Sequence, residues 1–202
     1  MSGTNGKLSN INLTSASVEI EPLKNVVFET GFSFRTLESA SRDLFTMDYF
    51  TDSARSQTRG DLRQSEVYFQ TEYTPGKKAV GYGVERLAVD NPYSRLFVKV
   101  SQGFKGLLNS DFDYTKLQLY YKQPFVIGPL GRTNVTVEMG KTFGQVPLGL
   151  MSVVPGNQTY FIIGNTFSNL NFYEFVTDEY VTFQWDHNFQ GRLFSRIPLL
   201  RK

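Results

Sequence analysis

The chain has 202 residues, 40% of them hydrophobic, a net charge of +2 and no cysteine, with a mean hydropathy of −0.28. That length holds one domain with a sizeable core. The near-neutral charge shows no basic cluster for nucleic acid, and the missing thiols remove disulfides, thiol catalysis and zinc-thiolate sites together.

No run approaches the ~18 apolar residues of a transmembrane helix. The 18 Phe and 11 Tyr, against one Trp, suit strands and interfacial girdles instead. Eight short segments alternate apolar and polar residues with period two, and each reads as a strand. The first spans residues 18–20, with Glu19 and Glu21 on the opposite face, and ends at Pro22. Residues 26–36 follow, with Val26, Phe28, Phe32 and Phe34 on one side and Glu29, Gly31, Ser33 and Arg35 on the other. The polar stretch 37–62 reads as a long loop. Residues 65–73 set Val67, Phe69 and Tyr73 against Glu66, Tyr68, Gln70 and Glu72. Thr74-Pro75-Gly76-Lys77 is a tight-turn signal, and Val80, Tyr82 and Val84 read as its return strand, giving a hairpin over 65–89.

After a turn at Asp90-Asn91-Pro92, Leu96, Val98 and Val100 oppose Arg95, Phe97, Lys99 and Ser101. Leu117, Leu119 and Tyr121 oppose Lys116, Gln118, Tyr120 and Lys122. Gly128-Pro129-Leu130-Gly131 turns the chain into 135–143, where Val135, Val137 and Met139 face away from Thr136, Glu138 and Gly140. Val181, Phe183 and Trp185 against Thr182, Gln184 and Asp186 complete the set. No sustained 3.6-residue stripe points to a helix.

Charge on the polar side is what a soluble sandwich core would rarely tolerate facing inward. A strand with lipid outside and a wet lumen inside carries that pattern. The expected fold is therefore all-β: a partial antiparallel membrane β-barrel of about eight strands, forming a single domain over 1–202. Val67, Phe69, Leu117, Leu119, Val135, Val137 and Met139 are expected to face lipid.

Long loops of such a barrel should share one rim. Counted from the 37–62 loop, the 144–178 connection falls on the rim of the tight turns. Either a strand is missed, or that segment enters the lumen. Pro147, Pro155, Gly156, Asn157 and several aromatics make it too apolar for a solvated loop, which favours a plug-like or rim connection.

The candidate lumen charges are Glu29, Arg35, Glu66, Glu72, Glu85, Arg95, Lys99, Lys116, Lys122 and Glu138, with Asp186 on the last strand. They would line a permeation path or substrate wall, or form a cross-strand ion-pair network; their mixed signs favour the network. The candidate plug residues are Gly156, Asn157 and Tyr160, with Glu174 and Asp178 expected to pair with lumen Lys or Arg. His187, the only histidine, has no Gly-x-Ser-x-Gly elbow to serve and reads as a strand-end residue. Arg59-Gly60-Asp61 spells an adhesion tripeptide in an exposed loop, a match that three residues reach by chance. No metal or cofactor motif stands out.

One ordered set of motifs carries a resemblance. Gln102-Gly103-Phe104-Lys105-Gly106-Leu107-Leu108 comes first, then Gly140-Lys141-Thr142-Phe143-Gly144-Gln145-Val146-Pro147 and Pro155-Gly156-Asn157. Phe172-Tyr173-Glu174-Phe175-Val176-Thr177-Asp178 and Ile197-Pro198-Leu199-Leu200 complete it. Together they resemble a Bacteroidetes outer-membrane family of unknown function, which typically joins an exported carboxypeptidase-regulatory-like sandwich to a barrel similar to BamA-type surface antigens. The resemblance implies location in the cell outer membrane and supplies no chemistry.

Met1 to Lys7 shows no basic start with an apolar h-region, and Arg201-Lys202 is no closing strand. The chain is therefore expected to be a fragment of a longer exported precursor. Its partners would be outer-membrane lipid and the remaining N- and C-terminal parts, with no nucleic acid. The expected function is non-enzymatic transport, assembly or envelope work. The alternatives are a soluble β-sandwich or β-barrel binding module, and an outer-membrane enzyme with a rim active site.

Overall fold

The computed structural model describes residues 9–51, 54–81, 87–89, 92–157, 166–167, 170 and 173–191. Seven long strands form one sheet: β1 (Ser9–Leu23), β2 (Val26–Ser39), β3 (Asp61–Tyr73), β4 (Arg95–Phe104), β5 (Tyr114–Val126), β6 (Arg132–Phe143) and β7 (Glu179–Asn188). Their order in space is their order in the chain, and every neighbouring pair is antiparallel. Among the described residues the sheet is open, with β1 and β7 at its edges. No described helix is long and apolar enough to cross a membrane, which leaves crossing by strands untouched.

Among the described residues the sheet has seven long strands where about eight were expected, and the difference lies at one hairpin. The tight turn is present: Lys77 N–H donates to Thr74 O at 3.2 Å, and Gly76 takes φ +81°, which an L side chain would resist. The described part of the return strand, Ala79–Val80, lies outside the seven-stranded sheet. Ala79–Val80 pairs only with Leu87–Ala88, and Tyr82 and Val84 lie outside the described residues. β3 pairs with β4 instead, from Ser65↔Phe104 to Tyr73↔Leu96. That pairing sets Phe69 beside Val100 and Tyr73 beside Leu96, side-chain contacts a two-residue ribbon cannot match.

This correction resolves the mismatch between the rims. With one strand fewer, the connections after β2, β4 and β6 share a rim, so the 144–178 connection stands on the same side as the 40–60 loop. The opposite rim carries Lys24-Asn25, the segment after β3, and the short turn before β6.

β1 is also longer than its apolar signal. It pairs with β2 from Ser9↔Ser39 to Ile20↔Phe28, with an irregularity before Leu23↔Val26. Asn12, Thr14 and Ala16 sit where later strands carry Val and Phe, so pairing with β2 organises this strand where its pattern does not.

The buried cluster lies at the rim of the long connections. Leu37, Leu62 and Tyr114 project from strand ends, Met47 and Tyr49 come from the 40–60 loop, and Leu150 comes from the connection after β6. Phe45, Phe112 and Val146 pack against them. The stretch expected as an exposed loop thus folds back over the sheet, helped by a short pairing of Tyr49–Phe50 with Thr58–Arg59.

Candidate functional site

Antiparallel pairing puts partnered residues on the same face and successive residues on opposite faces. The registers accordingly gather Glu29, Arg35, Glu66, Glu72, Arg95, Lys99, Lys116, Lys122, Glu138 and Asp186 on one face of the sheet. Glu85 lies outside the described residues. The other face is apolar and bare. Val181, Phe183 and Trp185 on β7 are 72%, 64% and 66% exposed, and Phe69, Leu117 and Met139 are exposed too. The chain's own connections cover the polar face instead.

Three tyrosines on that face each repeat one arrangement. Tyr68 pairs with Gly31, Tyr114 with Gly103 and Tyr180 with Gly140. A Cβ on Gly31, Gly103 or Gly140 would meet the tyrosine ring at 2.7, 2.4 or 2.5 Å, so the bare glycine leaves room for the ring. Each hydroxyl then donates to a glutamate: Tyr68 to Glu29 Oε1 at 2.7 Å, Tyr114 to Glu66 Oε2 and Tyr180 to Glu138 Oε1 at 2.9 Å. A hydrogen bond to a charged group contributes about 1.5–3 kcal/mol. Sequence reading noted the glutamates and missed the tyrosine–glycine partnership, which only the register reveals.

Cations complete the network. Arg35 Nη2 donates to Tyr114 Oη at 3.2 Å and lies 3.7 Å from Glu66. Lys99 sits over the Tyr68 ring, 4.1 Å from its centroid, and Arg95 bridges to Glu72 at 2.7 Å. Lys116 donates to Leu150 O at 3.1 Å, tying the sheet to the connection above it.

That connection lies against the polar face along β6 and β7. Val153, Val154, Pro155 and Phe167 enclose a cavity of about 30 Å³ with Thr136, Glu138, Tyr180 and Gln184, room for one water. Gly156 bridges to Phe167, and Asn157, nearly buried, donates its N–H to Phe167 O at 3.0 Å. Tyr160 lies outside the described residues. Glu174 and Asp178 are exposed, and Asp178 serves through its backbone, its O accepting from Thr142 N at 2.7 Å. Glu179 meets Lys141 at this rim, 2.7 Å away.

Arg59 and Asp61 of the tripeptide are held in place. Arg59 forks onto both Asp61 oxygens at 2.7 and 2.9 Å and reaches Asp111 at 3.0 Å. The Asp61 hydrogen bonds hold its guanidinium further above an already high range. Asp111 in turn accepts from Arg63 N–H at 2.8 Å. Burial, with Asp111 nearby, pushes the Tyr49 hydroxyl well up. His187 is engaged through both ring nitrogens: Nε2–H donates to Leu130 O at 3.0 Å and Nδ1 accepts from Thr133 Oγ1 at 2.6 Å. Among the described residues no group of His, Asp and Glu is placed to hold a metal ion.

Residues 5–202 match the C-terminal domain of DUF5686, a family of unknown function. No curated protein and no solved structure matches the chain.

Proposed function

Because the chain belongs to the family of unknown function DUF5686, through its C-terminal domain, we propose a role read from its sheet: part of the wall of an outer-membrane β-barrel, serving transport, assembly or the envelope without covalent catalysis. The observation that carries this reading is the separation of faces. Charge and hydrogen bonds fill the side covered by the chain's own loops, and bare Val, Leu, Phe and Trp fill the other. Lipid is the solvent that suits the second face, and a wet lumen suits the first. A soluble β-module would need a covering layer over Val181, Phe183 and Trp185.

In this reading the open edges of β1 and β7 pair with further strands, since lipid leaves no unpaired backbone unsatisfied. The stretch 144–157, seated on the polar face, is the plug-like element. The Tyr–Glu and Arg–Glu network braces the wall beneath it.

Trp185 is the single tryptophan, so its emission tests the reading without labelling. With the protein folded into vesicles, brominated acyl chains should quench Trp185 strongly, whereas aqueous acrylamide should quench it weakly. The reverse order would sink the membrane assignment.

A further inference from the structure

A second feature of the polar face lies at the opposite rim from the loop cap, and the Tyr–Gly–Glu units take no part in it. Arg95, Lys122 and Arg132 line one cavity of about 240 Å³ together with Tyr93, Tyr120 and Asn134. Arg95 and Lys122 stand directly opposite each other in the β4–β5 register, and like charges so placed repel. Arg95 has Glu72 at 2.7 Å and its guanidinium lies over Tyr120, 5.7 Å from the ring centroid. Among the described residues no carboxylate comes within ion-pair distance of Lys122 or Arg132. The Arg132 Nε is shut off from solvent and has no hydrogen-bond partner. Buried donors left alone in this way are rare; closed to solvent, this Nε does not itself reach the cavity, which leaves the rest of the Arg132 guanidinium to meet an anion there.

We infer that this cavity is an anion site, built to take a phosphate-type oxyanion between Lys122, Arg132 and the Tyr120-backed Arg95. The donor set fits that chemistry. Guanidinium forks match two oxygens of a phosphate, the lysine adds a mobile point charge, and Asn134 offers an amide. The volume exceeds what the oxyanion alone fills, leaving room for a substituent against Tyr93 and Pro92. The oxyanion comes either from a soluble phosphate or from a lipid headgroup. The site stands on one face of the sheet and does not depend on how the sheet closes.

The test uses the full chain folded in octyl glucoside, which carries no phosphate. Binding of inorganic phosphate, and of phosphatidylglycerol added in mixed micelles, is followed by calorimetry. Either ligand should bind, more weakly as salt rises. The double variant Lys122→Gln/Arg132→Gln should weaken that binding at least tenfold. Lys99→Gln, which removes a cation elsewhere on the same face, should leave it within twofold. Glu72→Gln, which frees Arg95, should tighten it severalfold. Phosphate binding assigns a soluble ligand, and binding of the lipid alone assigns a headgroup. Binding of neither, or equal binding by the double variant with its β circular dichroism intact, would overturn the site.

Discussion

The Tyr180 ring occupies the space that a side chain on Gly140 would need: a Cβ built there falls 2.5 Å from Tyr180 Cε1, and the hydroxyl beyond it donates to Glu138. The ring closes the gap between β6 and β7 while the bond fixes its tilt. Gly140→Ala should push the ring aside, break that bond and cost about 1–3 kcal/mol, the usual range for overpacking. In a Tyr180→Ala background the three atoms nearest that methyl are gone, so its cost should fall away. A double-mutant cycle of folding free energy checks this. Equal costs in both backgrounds would mean that the ring is a bystander.

The two faces predict opposite tolerances at adjacent residues. Val137 sits mid-strand on the apolar face and Glu138 on the polar one. In lipid vesicles Val137→Arg should lower folding stability by about 2–4 kcal/mol, the cost of a cation facing the bilayer midplane. Glu138→Gln keeps a side-chain oxygen for Tyr180 to donate to and should cost less than half as much. Urea titrations of the two variants, folded in the same vesicles, decide the point. Equal losses would reverse the assignment of faces.

Much of this arrangement is legible in the sequence, and what escapes does so for identifiable reasons. Period-two alternation located six of the seven strands in their main course and assigned Glu66, Lys116 and Glu138 to one face, because side-chain direction in a strand follows from residue parity alone. β1 escaped in its first half because Asn12 and Thr14 break that parity signal. The expected pairing of Val80 with β3 came from a real turn at Pro75-Gly76: local turn chemistry fixes a reversal of direction but not the next partner. That one pairing displaced the rim of the 144–178 connection. The Tyr–Gly contacts, the Arg59 clamp and the Arg95–Lys122–Arg132 cavity join residues 2 to 52 positions apart in the chain, and such meetings depend on register, which no single segment encodes.

The meeting of the two long connections yields the last expectation. Leu150, 1% exposed, reaches into a cluster with Leu37, Met47, Tyr49 and Leu62, and Leu37 Cδ2 would lie 2.6 Å from a Cβ on Gly149. The 40–60 loop and the 144–157 stretch therefore cover the polar face as one packed unit, held to the sheet by Lys116. Truncating a buried leucine to alanine costs about 2–5 kcal/mol. The seven-strand ladder does not rest on Leu150, so the loss should fall on opening of the cap alone. At 1.4 kcal/mol per factor of ten, Leu150→Ala should raise trypsin cleavage at Arg42 and Arg55 by tenfold or more while β circular dichroism holds. If Arg42 and Arg55 stayed protected while chymotrypsin cleavage within 144–157, which keeps Leu148 and Met151 in this variant but holds no lysine or arginine, rose instead, the two connections would be independent covers, and Leu37 would owe its burial to Met47 and Tyr49.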